Sequence, residues 1–305
     1  MINTKAYSTS QKSPKSACIN SRKNPSSTYQ HMFLEDFCHG FSFELKKDAN
    51  DRSFYDVTPE GATLKRLLTF QNYDFLQYDM DRLLSHIMRT LVFSGKAFLE
   101  IVQTTDSDNN IVGISLVPFD PILSFRCSSS TYFISIQKNT KLRFFKISNS
   151  NVVTLRLSDI GFWRYYFKLY YNYLPYLDVL KVSEMSLSAK ETGFDFTVWN
   201  DKREYQLLKH SRRIGWYGRN GSNQYMGEGY LLFRTIRLRS LRKKFLDYFL
   251  NQINKSLKPI CDNLKIDGSL FAKSTSYDYN ELLQKLQVGE LNYSQLGDYV
   301  FPRIQ

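Results

Sequence analysis

The side chains here that could do chemistry fall into a few groups, and spacing decides what each could do. His210-Ser211-Arg212-Arg213 is an H-x-x-R step that could set an imidazole and a guanidinium on one scissile phosphate. Strand-transfer chemistry of that kind also needs a further Arg, a Lys and a helical Tyr nucleophile, and no such set can be placed. Asp74, Asp79, Asp81 and Glu100 could supply carboxylates for two-metal hydrolysis. No D-x-E or E-x-K pattern ties them together, and charged helix faces account for them. Asp106 to Asn110 begins like a calcium loop, but Ile111 stands where that loop needs Gly and Val117 where it needs Glu. Cys38-His39 with His31 could seed a metal site, yet the remaining ligands are not in sight. Cys18, Cys38, Cys127 and Cys261 lie far apart, with no C-x-x-C pair and no disulfide framework. The expectation is a chain without catalytic residues, cofactor or metal.

Charge is the more informative chemistry. The net charge is +12, and two blocks carry the whole excess. Up to Gln30 there are Lys5, Lys12, Lys15, Arg22 and Lys23 and no acid. This Ser-, Thr- and Asn-rich stretch reads as a disordered basic tail (residues 1–30), and the same composition would suit an organellar transit peptide. The second block, Lys202 to Lys258, has only Glu204, Glu228 and Asp247 against its cations. Its candidate nucleic-acid contacts are Arg212, Arg213, Arg234, Arg237, Arg239, Arg242, Lys243 and Lys244. A run of this kind is a footprint for phosphate backbones or the solvated face of a helix, and the two readings stand level.

Composition sets the frame around these residues. A chain of 305 residues with 42% apolar content can build one large core or two modest ones. No run reaches the ~18 apolar residues of a membrane span, and Met1 to Gln30 lacks the apolar core segment of a secretory signal. The cysteine usage fits a reducing cytoplasm.

The elements that must position the basic block form a mixed α+β pattern of helices and antiparallel strands. Thr58-Pro59-Glu60 reads as a helix entry with Thr58 as N-cap, followed by Leu64, Leu67, Leu68 and Phe70 at helical spacing. Leu83, Leu84, Ile87, Leu91 and Val92 make an amphipathic helix stopped by Gly95. Ala97 to Val102 and Ile111 to Val117 read as a hairpin around Asp106–Asn110, ended by Pro118 and Pro121. Short alternating runs from Ile122 to Val153 predict more antiparallel strands. Phe162 to Tyr176 alternates aromatic and polar residues and predicts a strand buried on its Trp163, Tyr165, Phe167, Leu169 and Tyr171 face. Phe194 to Trp199 predicts another strand, with a turn at Asn200-Asp201. Gly215, Gly218, Gly221, Gly227 and Gly229 fit neither a dinucleotide fingerprint nor a P-loop and mark a loop that turns sharply or lies close to another backbone. Tyr230 to Leu257 is the longest helical pattern, with a stripe of Leu231, Leu238, Leu241, Phe245, Phe249, Ile253 and Leu257 ended by Pro259. Glu281 to Leu286 reads as helical.

Two separated stretches resemble the portal proteins of tailed phages, of the Mu type. The first is Leu91, Gly95, Ala97, Phe98, Glu100, Gly113, Leu116, Pro118, Asp120 and Pro121, matching a Leu-x-x-x-Gly-x-Ala-Phe transition and a Leu-x-Pro-x-Asp-Pro exit. The second is Asn223, Tyr225, Gly227, Glu228, Gly229, Leu231, Lys243, Lys244, Phe245, Tyr248 and Pro259, matching a loop and a long helix with a Lys-Lys middle. Portals continue with a clip, a second stem helix and a crown, whereas only Ile260 to Gln305 follows here.

That resemblance implies a portal-like core at 31–229, a long basic helix at 230–259 and a small extension at 260–305. It implies a non-catalytic structural protein in a ring-shaped DNA conduit at a capsid vertex, located in the virion or host cytoplasm. The implied partners are further copies of the chain, DNA held weakly and without sequence preference, and other capsid or packaging proteins; no membrane is implied. The alternative is a nucleic-acid-binding protein of a mobile element, using the basic helix and the Phe162 to Tyr176 aromatics, with Tyr166 and Tyr170 stacking on a single strand. A metal-dependent DNA-processing enzyme is a third possibility.

Overall fold

The computed structural model describes residues 10–11, 27–38, 54–136, 142–161, 163–179, 196–219, 227–273, 278–292 and 294–295. Most of the basic tail, Cys18, His39, the polar stretch from Val182 to Gly193, Gly221 and the Asn223–Tyr225 loop lie outside them. In chain order the elements are β1 (Ser10–Gln11), α1 (Thr28–Cys38), β2 (Tyr55–Thr58), α2 (Thr63–Thr69), α3 (Met80–Ser94), β3 (Lys96–Thr105), β4 (Ile111–Phe119), β5 (Leu123–Arg126), β6 (Ser130–Ile136), β7 (Leu142–Ser148), β8 (Val152–Arg156), α4 (Leu157–Ile160), α5 (Trp163–Phe167), α6 (Leu174–Val179), α7 (Phe196–Ser211), α8 (Glu228–Leu264), β9 (Ser269–Ala272) and α9 (Tyr279–Val288). The fold is mixed α+β, with antiparallel sheets and a long helix near the C-terminus, as the sequence pattern predicts.

The chain divides into two units: residues 1–23, 45–159 and 246–273, and residues 24–44, 160–245 and 274–305. These bounds differ from the expected breaks at 31, 230 and 260, because α8 gives its first half to one core and its second half to the other. Of the first thirty residues the described ones are 10–11 and 27–30: Ser10 and Gln11 pair with Thr105 and Thr104, and α1 starts at Thr28.

In the first unit, α3 buries Leu83, Leu84, Ile87, Leu91 and Val92. It begins at Met80, directly after a π-helical turn at Phe75–Asp79. Gly95 stops it in the left-handed conformation (φ 76°), with its N–H on the Leu91 carbonyl. β3 then pairs antiparallel with β4, Phe98 opposite Phe119 and Leu99 opposite Pro118. The other edge of β3 pairs with β8. In the connecting turn, Asp106 Oδ1 accepts the N–H groups of Asp108 and Asn110, which is a turn device and not a calcium loop.

β5, β6 and β7 form a separate three-stranded antiparallel sheet. Its inner face puts Phe133, Phe145 and Ile147 against Phe98, Phe119 and Val152. The rings of Phe119 and Phe133 meet edge to face, centroids 4.9 Å apart.

Three expectations fail in this unit. Thr58 is not a helix cap: it ends β2 opposite Ser269 of β9, and α2 starts at Thr63. The partner strand is some 200 residues away in sequence, so local signals could not announce the pairing. Phe70 is exposed rather than part of the α2 core. Pro259 does not end α8, which runs on to Leu264. An interior proline costs about 3 kcal/mol. Ile260 and Cys261 are buried just beyond it, and burying side chains of this kind returns about 1.5–3 kcal/mol each.

The regular elements described in the second unit are all helices. The Phe162–Tyr176 strand is a misreading: Trp163 to Val179 is α5, a π-helical turn at Lys168–Tyr173, and α6. Tyr166, Leu169, Tyr170, Leu174 and Leu177 are its buried residues, at steps of one, three and four. Aromatics fill both phases of this stretch, so alternation and helical spacing could be read from the same letters. The strand at Phe194–Trp199 and the turn at Asn200-Asp201 are likewise corrected, since Phe196 to Ser211 is one helix. Phe33, Phe37, Tyr166, Trp216 and Phe245 form the aromatic centre, Phe37 and Phe245 meeting edge to face at 5.7 Å.

Candidate nucleic-acid interface

The basic block divides into cations that build the second unit and cations that remain on its surface. Arg234 belongs to the first kind, being 1% exposed. Its guanidinium donates to the Leu208 carbonyl (3.2 Å), the Tyr230 hydroxyl (3.1 Å), Ser211 Oγ (2.7 Å) and the Trp216 carbonyl. Leu208 and Ser211 lie in the last turn of α7, where helix carbonyls lack partners and a cation is favoured. Burial lowers the Arg234 pKa from its ordinary value, partly offset by the Tyr230 hydrogen bond. Arg234 is thus a clamp between α7, the following turn and α8. Arg242 is buried too. Both expected contacts are turned inward because they stand on the same stripe as Phe245 and Phe249.

The turn after α7 explains the glycines. Gly215 has φ 88°, and a Cβ there would lie 2.3 Å from the Arg234 carbonyl oxygen. At Gly218 (φ 78°) a Cβ would lie 2.8 Å from the end of the Leu207 side chain. The loop does lie against another backbone. Trp216, held within this turn, donates its Nε1–H to Asp36 at 2.9 Å, and Arg219 bridges Asp36 and Glu35.

Three of the expected contacts converge. Arg213, Arg237 and Lys244 line one cavity of about 250 Å³ with Tyr165, Tyr166, Ile214, Phe233, Ser240, Leu241, Asn280, Leu283 and Gln287. Among the described residues no carboxylate lines it. Arg237 donates Nε–H to the Arg213 carbonyl at 2.9 Å. The Arg213 guanidinium lies 5.5 Å from the Tyr165 ring centre and that of Arg237 5.9 Å from Phe233. Tyr165 donates its hydroxyl to the His210 carbonyl, and burial raises its pKa. Among the described residues none of these three cations has an ion-pair partner. Arg212 is exposed beside them, and Arg239 and Lys243 are half-buried along α8.

The other candidate groups have local partners. The His210 ring stacks on Tyr173, centroids 3.6 Å apart, and burial with nearby Lys209 and Lys168 lowers its pKa. Asp79 meets Asn72 and Arg82, Asp81 accepts from Tyr55, and His31 meets Glu35. Among the described residues no group of three or more His, Cys, Asp or Glu is placed to hold a metal ion.

A second surface went unnoticed in the sequence. The outer face of the β5–β6–β7 sheet carries Leu123 and Phe125, Tyr132 and Ile134, and Leu142 and Phe144, aligned by register. All but Ile134 are exposed, Phe144 at 71%. Among the described residues only Lys146, 5.6 Å from the Tyr132 ring centre, adds a charge to this face. The strands alternate in the ordinary way, but the outer phase is the more apolar one, and the inner phase sets Ser124, Arg126, Thr131, Ser135 and Arg143 beside Phe133, Phe145 and Ile147.

Comparison with models of known protein families gave no match, and none of the curated proteins compared matches the chain. Among the described residues no helix is long and apolar enough to cross a membrane.

Proposed function

We propose that this protein is a non-catalytic structural subunit of the tailed-phage portal type, which packs side by side with copies of itself and meets DNA weakly through its basic surface. The observation that carries the assembly is the apolar outer face of the β5–β6–β7 sheet. Six large apolar side chains grouped on one sheet face form the kind of patch that soluble monomers seldom leave wet. The helix–glycine–hairpin unit from Met80 to Phe119, with the turn that follows it, has the order of the portal motif, residue for residue at Leu91, Gly95, Ala97, Phe98, Pro118 and Pro121.

The DNA contact in this reading falls to Arg212, Arg213, Arg237, Arg239, Lys243 and Lys244, without Arg234 and Arg242. Such contacts to phosphates carry no sequence preference and weaken steeply with salt. The aromatic single-strand reader is less well supported, because Tyr166 and Tyr170 are core residues. The experiment is the mass of the purified protein in solution. A closed ring supports the proposal, and a monomer at all concentrations overturns its assembly part.

A further inference from the structure

We infer that the cavity between α5, the α7–α8 turn, α8 and α9 is a binding site for a nucleotide bearing a terminal phosphate. This rests on the basic-surface part of the function proposed above and not on ring formation.

Electrostatics sets the sign of the ligand. Arg213, Arg237 and Lys244 share the wall of a cavity of about 250 Å³ with no carboxylate among the described residues of its lining. Three like charges around one hollow repel each other, and a phosphate group relieves that repulsion while accepting charge-assisted hydrogen bonds. The Nε–H of Arg237 is committed to the Arg213 carbonyl, which fixes the fork and leaves its terminal nitrogens to donate.

The rest of the lining suits a planar polar group. Both guanidiniums lie near aromatic rings, Tyr165 and Phe233, and a base can stack on aromatic faces or on guanidinium planes. Ser240 donates to Asn280 Oδ1 at 2.5 Å, which orients that amide and leaves its Nδ2 as a donor. Gln287 adds a second amide to the lining. The volume lies just under the roughly 300–1,000 Å³ of small-molecule pockets, so it takes about one nucleotide and not a length of strand. The same chemistry can come from a free nucleotide or from the 5′-phosphorylated end of a strand.

The test is calorimetric titration of the full chain at low salt with adenosine 5′-monophosphate, with a 5′-phosphorylated oligothymidylate, with its 5′-hydroxyl counterpart and with inorganic phosphate. The inference expects one or both phosphorylated nucleotides to bind more tightly than inorganic phosphate, and the phosphorylated oligonucleotide to outbind its hydroxyl form. Binding of the monophosphate identifies a free nucleotide as sufficient, and binding of the oligonucleotide alone identifies a strand end. Lys244→Glu, at an exposed position, should weaken that binding about tenfold or more without moving the melting temperature. Asn280→Ala should weaken it too, by a neutral contact. Equal, weak binding of all four probes overturns the site. If duplex DNA is still retained in that case, the basic surface stands and only the pocket fails; if duplex is not retained either, both fail.

Discussion

Arg237 donates to the main-chain carbonyl of Arg213 at 2.9 Å, so that one arginine of the long helix holds in place the turn that carries another. Two guanidiniums of like charge therefore share one cavity wall, and the basic block acts as a built surface there. On α8 itself the same residue type does the opposite work at Arg234, whose charge is spent inside the protein.

Arg234→Ala removes four hydrogen bonds and leaves the carbonyls of Leu208 and Trp216 without that donor. A loss of about 3 kcal/mol is expected, since hydrogen bonds to charged groups are worth about 1.5–3 kcal/mol each and their losses overlap. Arg212→Ala, at an exposed position, should change stability by less than about 0.5 kcal/mol. Urea unfolding of the two variants separates the internal cation from the surface one. Equal stabilities would show that Arg234 is not a clamp.

Gly215→Ala meets two obstacles at once: a left-handed backbone and a carbonyl oxygen 2.3 Å from the new Cβ. Together they should cost about 3 kcal/mol or more. A thermal melt that matches the parent protein would mean that the turn does not rest on α8. Gly61→Ala is the control, with φ 77° but open space around its Cβ, and should cost only about 1–2 kcal/mol.

Acid should weaken the second unit through His210. Burial, with Lys209 and Lys168, lowers its pKa below the ordinary 6.5. The unfolded chain then takes up a proton at higher pH than the folded one, so stability is full above 6.5 and falls as the pH drops through that value towards the folded pKa. His210→Phe keeps a ring for Tyr173 to stack on and cannot be protonated. Its melting temperature should change less between pH 7.5 and 5.5 than that of the parent; an identical pH dependence would remove His210 from the account.

Retention on a duplex DNA column should fall for Arg212→Glu with Lys243→Glu, and the slope of affinity against salt should flatten by about 2. Arg242→Glu is no test of this kind, because the side chain is buried and the variant reports on folding. Unchanged retention of the double variant would place DNA contact elsewhere or nowhere.

How far the sequence was readable depends on how local each signal is. Gly95, the Asp106 turn and the strand pair around it were legible because helix stop, turn and alternation lie within forty residues. The Trp163–Val179 helix was not, since its aromatics fall in both phases and satisfy both periods at once. The β2–β9 pair joins Tyr55 to Ala272 and had no local sign at all. Arg234 and Arg242 could have been caught: each falls in phase with Phe245 and Phe249, and a cation on an apolar stripe signals a buried, hydrogen-bonded role. The cavity draws Tyr165, Phe233 and Asn280 from separate segments, so the sequence offered its charges but not its walls.

The most direct measurement of the central claim is the solution mass by light scattering, for the parent and for Phe144→Asp with Phe125→Asp. Both side chains point away from the core on the outer sheet face, so the variant should fold. The account predicts a closed assembly of many copies for the parent and its collapse to small species in the variant. A parent that stays monomeric, or an assembly that the variant leaves intact, would contradict side-by-side packing through that sheet.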